Sequence, residues 1–245
     1  MDEEIEEGRS VWTAYYRQSK GFSLSIVSIL PLIVLYHCGI VQTSYPFRNL
    51  AQVALEGPLR LVGLGAAHIL NIALVLALVA VLWRSDTDDS PSFLIVLIMV
   101  AEGALYALAL HRGGLALTDA IYEHGRRVIF AAGFQEFAPL LLALGAGVYE
   151  ELLFRLLLVG GLSHLLSTVF MWPRLLSLGV ALLLSSVAFA AVHHIGAEGE
   201  PLVAYNFLYR AVCGALLGVV FLTRGLGVTV WTHAIYNAIV VLGTA

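Results

Sequence analysis

The chain has 245 residues, of which 60% are hydrophobic and 12% charged, against roughly 25% charged in a soluble globular domain. That balance requires lipid as solvent and leaves room for one membrane domain and no soluble one. The net charge of −4, with 13 scattered Lys and Arg, excludes a nucleic-acid partner, because neutralising phosphates takes a basic face.

Residues 1–21 begin acidic and turn basic just before the first apolar run. A signal peptide has a basic start, a short apolar region and a small-residue cleavage site. The segment therefore reads as an N-terminal tail, and the first span is expected to stay in the mature protein. Crossing a hydrocarbon core takes about 20 apolar residues. Hydropathy predicts spans at 22–42, 62–83, 92–111, 137–163, 175–194, 202–223 and 227–243, hence an all-α polytopic transmembrane bundle of about seven crossings, with six or eight also compatible. The lipid bilayer is thus the first expected partner.

Punctuation supports these breaks. Asp86 to Ser92 cannot sit in hydrocarbon, Trp172-Pro173-Arg174 opens the fifth span, and Gly196 to Pro201 separates the fifth from the sixth. Between Arg112 and Gln135, the apolar Leu117, Ile121 and Val128 with Arg126 and Arg127 suit an amphipathic helix at the interface. Trp83 and Trp172 fall where an aromatic belt would lie, and the Lys and Arg distribution leans toward a cytoplasmic N-terminus. Cys38 and Cys213 sit in different apolar spans without metal-ligand spacing and read as small hydrophobes.

An ionisable side chain near the bilayer centre costs about 2.5–3.5 kcal/mol, so each needs a partner or a purpose. The fourth span, GVYEELLFRLLL, carries three. Arg155 follows Glu151 by four residues, the spacing at which helical side chains meet. Glu150, about 100° further round the helix, is left for another task. Helix packing alone explains Glu151 and Arg155 but leaves Glu150 a surplus buried carboxylate. Desolvation makes a carboxylate a stronger base, the condition for activating water near neutral pH.

The fifth span ends in SSVAFAAVHHIG, with Phe189 and His193 one turn apart and His194 competing for the same role. The seventh contains WTHAIYNAIV, with His233 and Asn237 on one helical face. Either pair read alone is equally compatible with structural hydrogen bonding between helices.

Together these residues form Glu-Glu-x-x-x-Arg, then Phe-x-x-x-His, then His-x-x-x-Asn. In that order the chain resembles the CAAX protease and bacteriocin-processing family of membrane endopeptidases, over roughly residues 130 to 245. The resemblance divides the chain into a tail (1–21), N-terminal transmembrane helices (22–130) and a catalytic transmembrane core (131–245). It implies a peptide hydrolase in which Glu150 and His193 activate water while His233 and Asn237 stabilise the oxyanion, with Glu151, Arg155 and Phe189 in support. The substrate it implies is a membrane-associated peptide or protein: a prenylated C-terminus, a C-terminal sorting anchor or a leader peptide. No cofactor is expected. Zinc is the alternative, and its ligands would be Glu150, His193 and His233.

The family's Phe- and Gly-rich stretch appears only loosely as NFLYRAVCGALLGVVFLTRG, where Arg210 is unusual and is expected to pair with Glu102 or Glu136. Glu102, His68, Asn71 and His37 also lie in apolar spans and are expected to line the cavity or tie helices together. HExxH and GxGD motifs are missing, and none of the GxSx tetrapeptides, at Gly8, Gly21 and Gly161, is read as a nucleophile segment of the rhomboid kind, which sets other intramembrane protease types aside. The competing reading is a non-catalytic membrane protein of the same fold, serving immunity, transport or scaffolding. Transporters, however, tend to repeat broken spans in two halves, and here the polar groups crowd into the second. The missing retention signal and extensions point to a bacterial inner membrane.

Overall fold

The computed structural model of the chain describes residues 2–43, 50–61, 76, 80, 93–122, 137–195 and 199–243. Among them the fold is all helical, with α1 (Asp2–Ser19), α2 (Phe22–Thr43), α3 (Leu50–Leu61), α4 (Phe93–Ile121), α5 (Phe137–Glu151), a π-helical stretch (Leu152–Leu162), α6 (Ser163–Thr168), α7 (Arg174–Val192), α8 (Ala204–Arg224) and α9 (Leu226–Gly243).

Four of these, α4, α7, α8 and α9, are each long and apolar enough to cross a membrane; a fifth span results if the bent pair Val11–Ser19 and Phe22–His37 counts as one. These account for the spans expected at 92–111, 175–194, 202–223, 227–243 and 22–42. The span expected at 137–163 is helical throughout but changes its hydrogen-bond register at Leu152. The one expected at 62–83 falls almost entirely outside the described residues, as do Trp83 and Asp86 to Ser92.

The N-terminal tail is helical as α1, and the chain turns through 67° between it and α2, where Gly21 N–H closes the turn onto the Gln18 carbonyl at 2.9 Å. One expectation is corrected. The helix expected to end at residue 111 runs on to Ile121 for 29 residues. No proline interrupts it, so Arg112 to Ile121 extend α4 and form no separate interfacial helix. Arg126, Arg127 and Val128 lie outside the described residues.

Large apolar side chains face outward on α4 (Leu94, Leu97, Leu105, Leu108) and α7 (Leu175, Leu176, Leu183, Leu184). Glu150, Glu151, Arg155, Asn206, Arg224 and His233 are buried. Polar inside and apolar outside is the distribution that lipid selects. Away from the fourth span, Arg224 ties α8 to α4 through Glu102 at 2.5 Å and to α1 through Ser19 Oγ at 3.0 Å, while Tyr15 donates to Glu102. Glu102 is therefore a tie between helices. His37 likewise meets the Tyr149 hydroxyl at 3.3 Å, whereas His68 and Asn71 are outside the described residues.

Candidate active site

The π-helical stretch begins immediately after Glu150-Glu151. In it each backbone bond closes one residue later than in an α-helix, a departure that recurs at functional sites. Two bonds tie it to neighbouring elements: Ser185 on α7 donates to the Phe154 carbonyl at 2.6 Å, and Arg155 Nη2 within the stretch donates to the Gly214 carbonyl on α8 at 3.0 Å.

Glu151 and Arg155 form the expected ion pair, with Nη1 and Oε1 3.0 Å apart and both side chains essentially inaccessible. Glu151 Oε1 also accepts from His233 Nδ1 at 2.6 Å. With Nδ1 committed, the other His233 nitrogen, Nε2, lies 3.5 Å from Glu150 Oε2. One imidazole on α9 thus bridges the two adjacent carboxylates. Gly147 permits it, since a Cβ there would lie 3.3 Å from the His233 ring and 3.4 Å from the Ala234 nitrogen; the small residue lets the two helices close. One turn beyond, Asn237 Nδ2 donates to the Ala143 carbonyl at 3.0 Å. An amide nitrogen carries two hydrogens, so a second remains.

His193 stands at the end of α7, where the last turn tightens and His193 N–H reaches the Ala190 carbonyl at 3.3 Å. Its Nδ1 is 2.7 Å from the Phe189 carbonyl. A carbonyl only accepts, so Nδ1 carries the hydrogen and the neutral ring keeps a lone pair on Nε2. Phe189 makes edge contacts with both histidine rings, 4.8 Å from His193 and 5.7 Å from His233. The Arg155 guanidinium covers its face at 4.7 Å. That one ring therefore sets the spacing of the two imidazoles and the buried ion pair.

Glu150, His193, His233 and Asn237 line one cavity of about 60 Å³, together with Phe189, Tyr209, Arg210, Cys213, Leu217 and Tyr236. A cavity of that size holds water, which takes about 10–15 Å³ per molecule on this measure. Sequence reasoning missed Tyr209 and Tyr236, whose hydroxyls are 2.7 Å apart. Tyr236 adjoins Asn237, and a polar aromatic beside the His-x-x-x-Asn pair was the signal. Arg210 pairs with Glu200 through two hydrogen bonds, which corrects the expected pairing: Glu102 belongs to Arg224, and Glu136 is outside the described residues.

No group of three or more His, Cys, Asp or Glu among the described residues is arranged to hold a metal ion. Glu150, His193 and His233 line one cavity, and both imidazoles hold their Nδ1 in hydrogen bonds, to Glu151 and to the Phe189 carbonyl, as a metal-bound histidine also would.

His194 turns away from the cavity. Its Nδ1 donates to the Glu200 carbonyl at 3.0 Å and its ring stacks on Phe207. His193→Ala is therefore expected to lower peptide hydrolysis by about 10²–10⁴-fold, the range for a lost acid–base group, and His194→Ala by less than about tenfold on the same scale. Cleavage rates of the two purified variants decide it. An inactive His194→Ala beside an active His193→Ala would overturn the assignment.

A helical bundle with a lipid-facing exterior and a carboxylate, two imidazoles and an amide around a small cavity defines an integral membrane protein with a polar interior site. Residues 133–239 match the family model for type II CAAX prenyl endopeptidases, described as Rce1-like. Over these residues, a little under half of the chain, the protein is similar to that family of membrane endopeptidases, in line with the CAAX protease and bacteriocin-processing resemblance. No curated protein and no solved structure matches the chain.

Proposed function

We propose that this protein is an intramembrane glutamate-dependent endopeptidase that hydrolyses one peptide bond of a membrane-associated substrate. Glu150 takes a proton from a water held against His193 Nε2, and the hydroxide oxygen adds to the peptide carbonyl carbon. The developing oxyanion accepts from the second Asn237 Nδ2 hydrogen and from His233 Nε2 in its imidazolium form. Preorganised donors of this kind are worth about 10²–10³-fold in rate each. On collapse the carbon–nitrogen bond breaks, and the proton held by Glu150 passes to the leaving amine. Glu151 and Arg155 hold His233 and the helix in place. Substrates are prenylated C-terminal segments, C-terminal sorting anchors or leader peptides. The observation that carries this reading is the convergence of Glu150, His193, His233 and Asn237 on one buried cavity.

The test is cleavage of a farnesylated C-terminal reporter peptide and of the same peptide without the lipid. Purified full-length protein is used in lipid, with products mapped by mass spectrometry. Cleavage at a single bond is expected, and activity is expected to survive prolonged treatment with a membrane-permeant chelator. Stoichiometric zinc in the active preparation, with activity lost on chelation and restored by zinc, would overturn the metal-free mechanism.

A further inference from the structure

Arg210 is a guanidinium on the cavity wall, and the reaction just described gives it no task. Its Nε donates to Glu200 Oε2 at 3.1 Å and its Nη2 to Oε1, the bidentate fork that is among the strongest pairings of guanidinium and carboxylate. Arg210 and Glu200 remain 21% and 18% exposed. Glu200 is also held by its backbone: its N–H donates to the His193 carbonyl at 2.9 Å and its carbonyl accepts from His194. Gly199 makes the close return possible, since a Cβ there would stand 2.9 Å from the His194 carbonyl carbon and 3.0 Å from the Ile195 nitrogen.

We propose that Glu200 is a positioning residue for the hydrolysis: it holds the Arg210 guanidinium away from Glu150, while its backbone secures the residue that carries the His193 ring. The inference rests on Glu150 being the base. Arg210 and Glu150 line the cavity with His193, and Glu200 is bonded to Arg210 and to the His193 carbonyl. The ionisable walls of the cavity are Glu150, His193, Arg210, His233, Tyr209, Tyr236 and Cys213. Behind them Glu151 is committed to Arg155 and His233. If residue 200 loses its charge, the carboxylate left facing Arg210 across a cavity this small is Glu150. A partly buried cation without a partner is costly, so the guanidinium moves to that carboxylate. A fork on Glu150 would occupy the lone pairs that must receive the proton of the water.

The experiment has two arms. In the first, the farnesylated reporter peptide is cleaved by purified full-length Glu200→Gln, Arg210→Met and the double variant. Glu200→Gln is expected to lower kcat by about tenfold or more with KM within about twofold, a loss confined to the chemical step. Arg210→Met and the double variant are expected to agree in kcat within about threefold, because without Arg210 there is no stray charge to hold. Unchanged kcat in Glu200→Gln, or a double variant far below Arg210→Met, overturns the proposal. If Glu200→Gln does not accumulate, the comparison between the last two decides.

The second arm needs no substrate. Thermal unfolding of Glu150→Gln, Glu200→Gln and their combination is measured in detergent. The combination strands Arg210 without any carboxylate and is expected to unfold about 4 °C or more below the sum of the single effects. Additive losses overturn the exchange of partners. Coupling together with an active Glu150→Gln would instead show that Arg210 exchanges partners as proposed while Glu150 is not the base.

Discussion

Replacing Glu150 by Gln is expected to reduce hydrolysis of the reporter peptide by about 10²–10⁴-fold, the contribution of a general base, while the protein still folds and inserts. Gln preserves the shape and the acceptor oxygen but takes no proton. The prediction separates base from scaffold because of how Glu150 is bound. Its contact with His233 Nε2 is long, at 3.5 Å, whereas Glu151 carries the short bond to the same ring and the ion pair with Arg155. Loss of charge at Glu150 therefore leaves the buried cation paired and His233 anchored. The measurements are the initial rate and the thermal midpoint on the same preparation. Near-normal turnover in a properly folded Glu150→Gln would remove Glu150 from the chemistry and with it the reading of the cavity as a water-activating site.

What the sequence reveals here follows from the range of the interaction involved. The Glu151–Arg155 pair and the proximity of Phe189 to His193 are contacts within one helical turn, which residue spacing predicts directly. The convergence of the fourth, fifth and seventh spans came from the order of motifs. No period in the sequence predicts that His233 bridges both glutamates, because that depends on how closely α9 approaches α5 at Gly147. The Arg210 partner was misread for the same reason. Ion-pair choice between elements is tertiary, and Glu200 in the connection to α8 competes better than Glu102, which the fold delivers to Arg224. The π-helical stretch was also hidden, since an apolar run such as Leu152–Leu162 has the same composition whether its bonds close at four residues or at five. Boundaries are least legible where hydropathy fades gradually: α4 continues past residue 111, through Gly113-Gly114, because Arg112 to Ile121 contain no proline and the helix packs on.

The tie formed by Arg224, Glu102, Tyr15 and Ser19 shows a different use of buried charge in the same chain. It joins α1, α4 and α8, and none of its members lines the cavity. In lipid, polar contacts between helices are one of the few attractive terms available, because the tails are as apolar as the side chains. A buried ion pair is thus compatible with a purely structural role, and Glu151 with Arg155 meets that description. Glu150 differs in facing the cavity.

Glu151→Gln is accordingly expected to fail in a different way, with loss of folded protein as well as activity. Arg155 is almost fully buried, at 1% exposure. Its remaining contacts are the Gly214 carbonyl and the face of Phe189, neither of which carries a full negative charge. Removing the Glu151 charge breaks a buried pair, at about 3–5 kcal/mol, and the thermal midpoint should fall on the order of 10 °C for a chain of this length. The His233 bond weakens at the same time, because a neutral amide oxygen replaces a carboxylate as its acceptor. Arg155→Met in the Glu151→Gln background should recover much of the midpoint by removing the stranded cation, with little recovery of activity, since the His233 anchor stays weakened. Midpoints and cleavage rates of the single and double variants, measured side by side, distinguish the roles. A Glu151→Gln protein as stable as the parent but inactive would mean that Glu151 is the base and Glu150 the structural carboxylate.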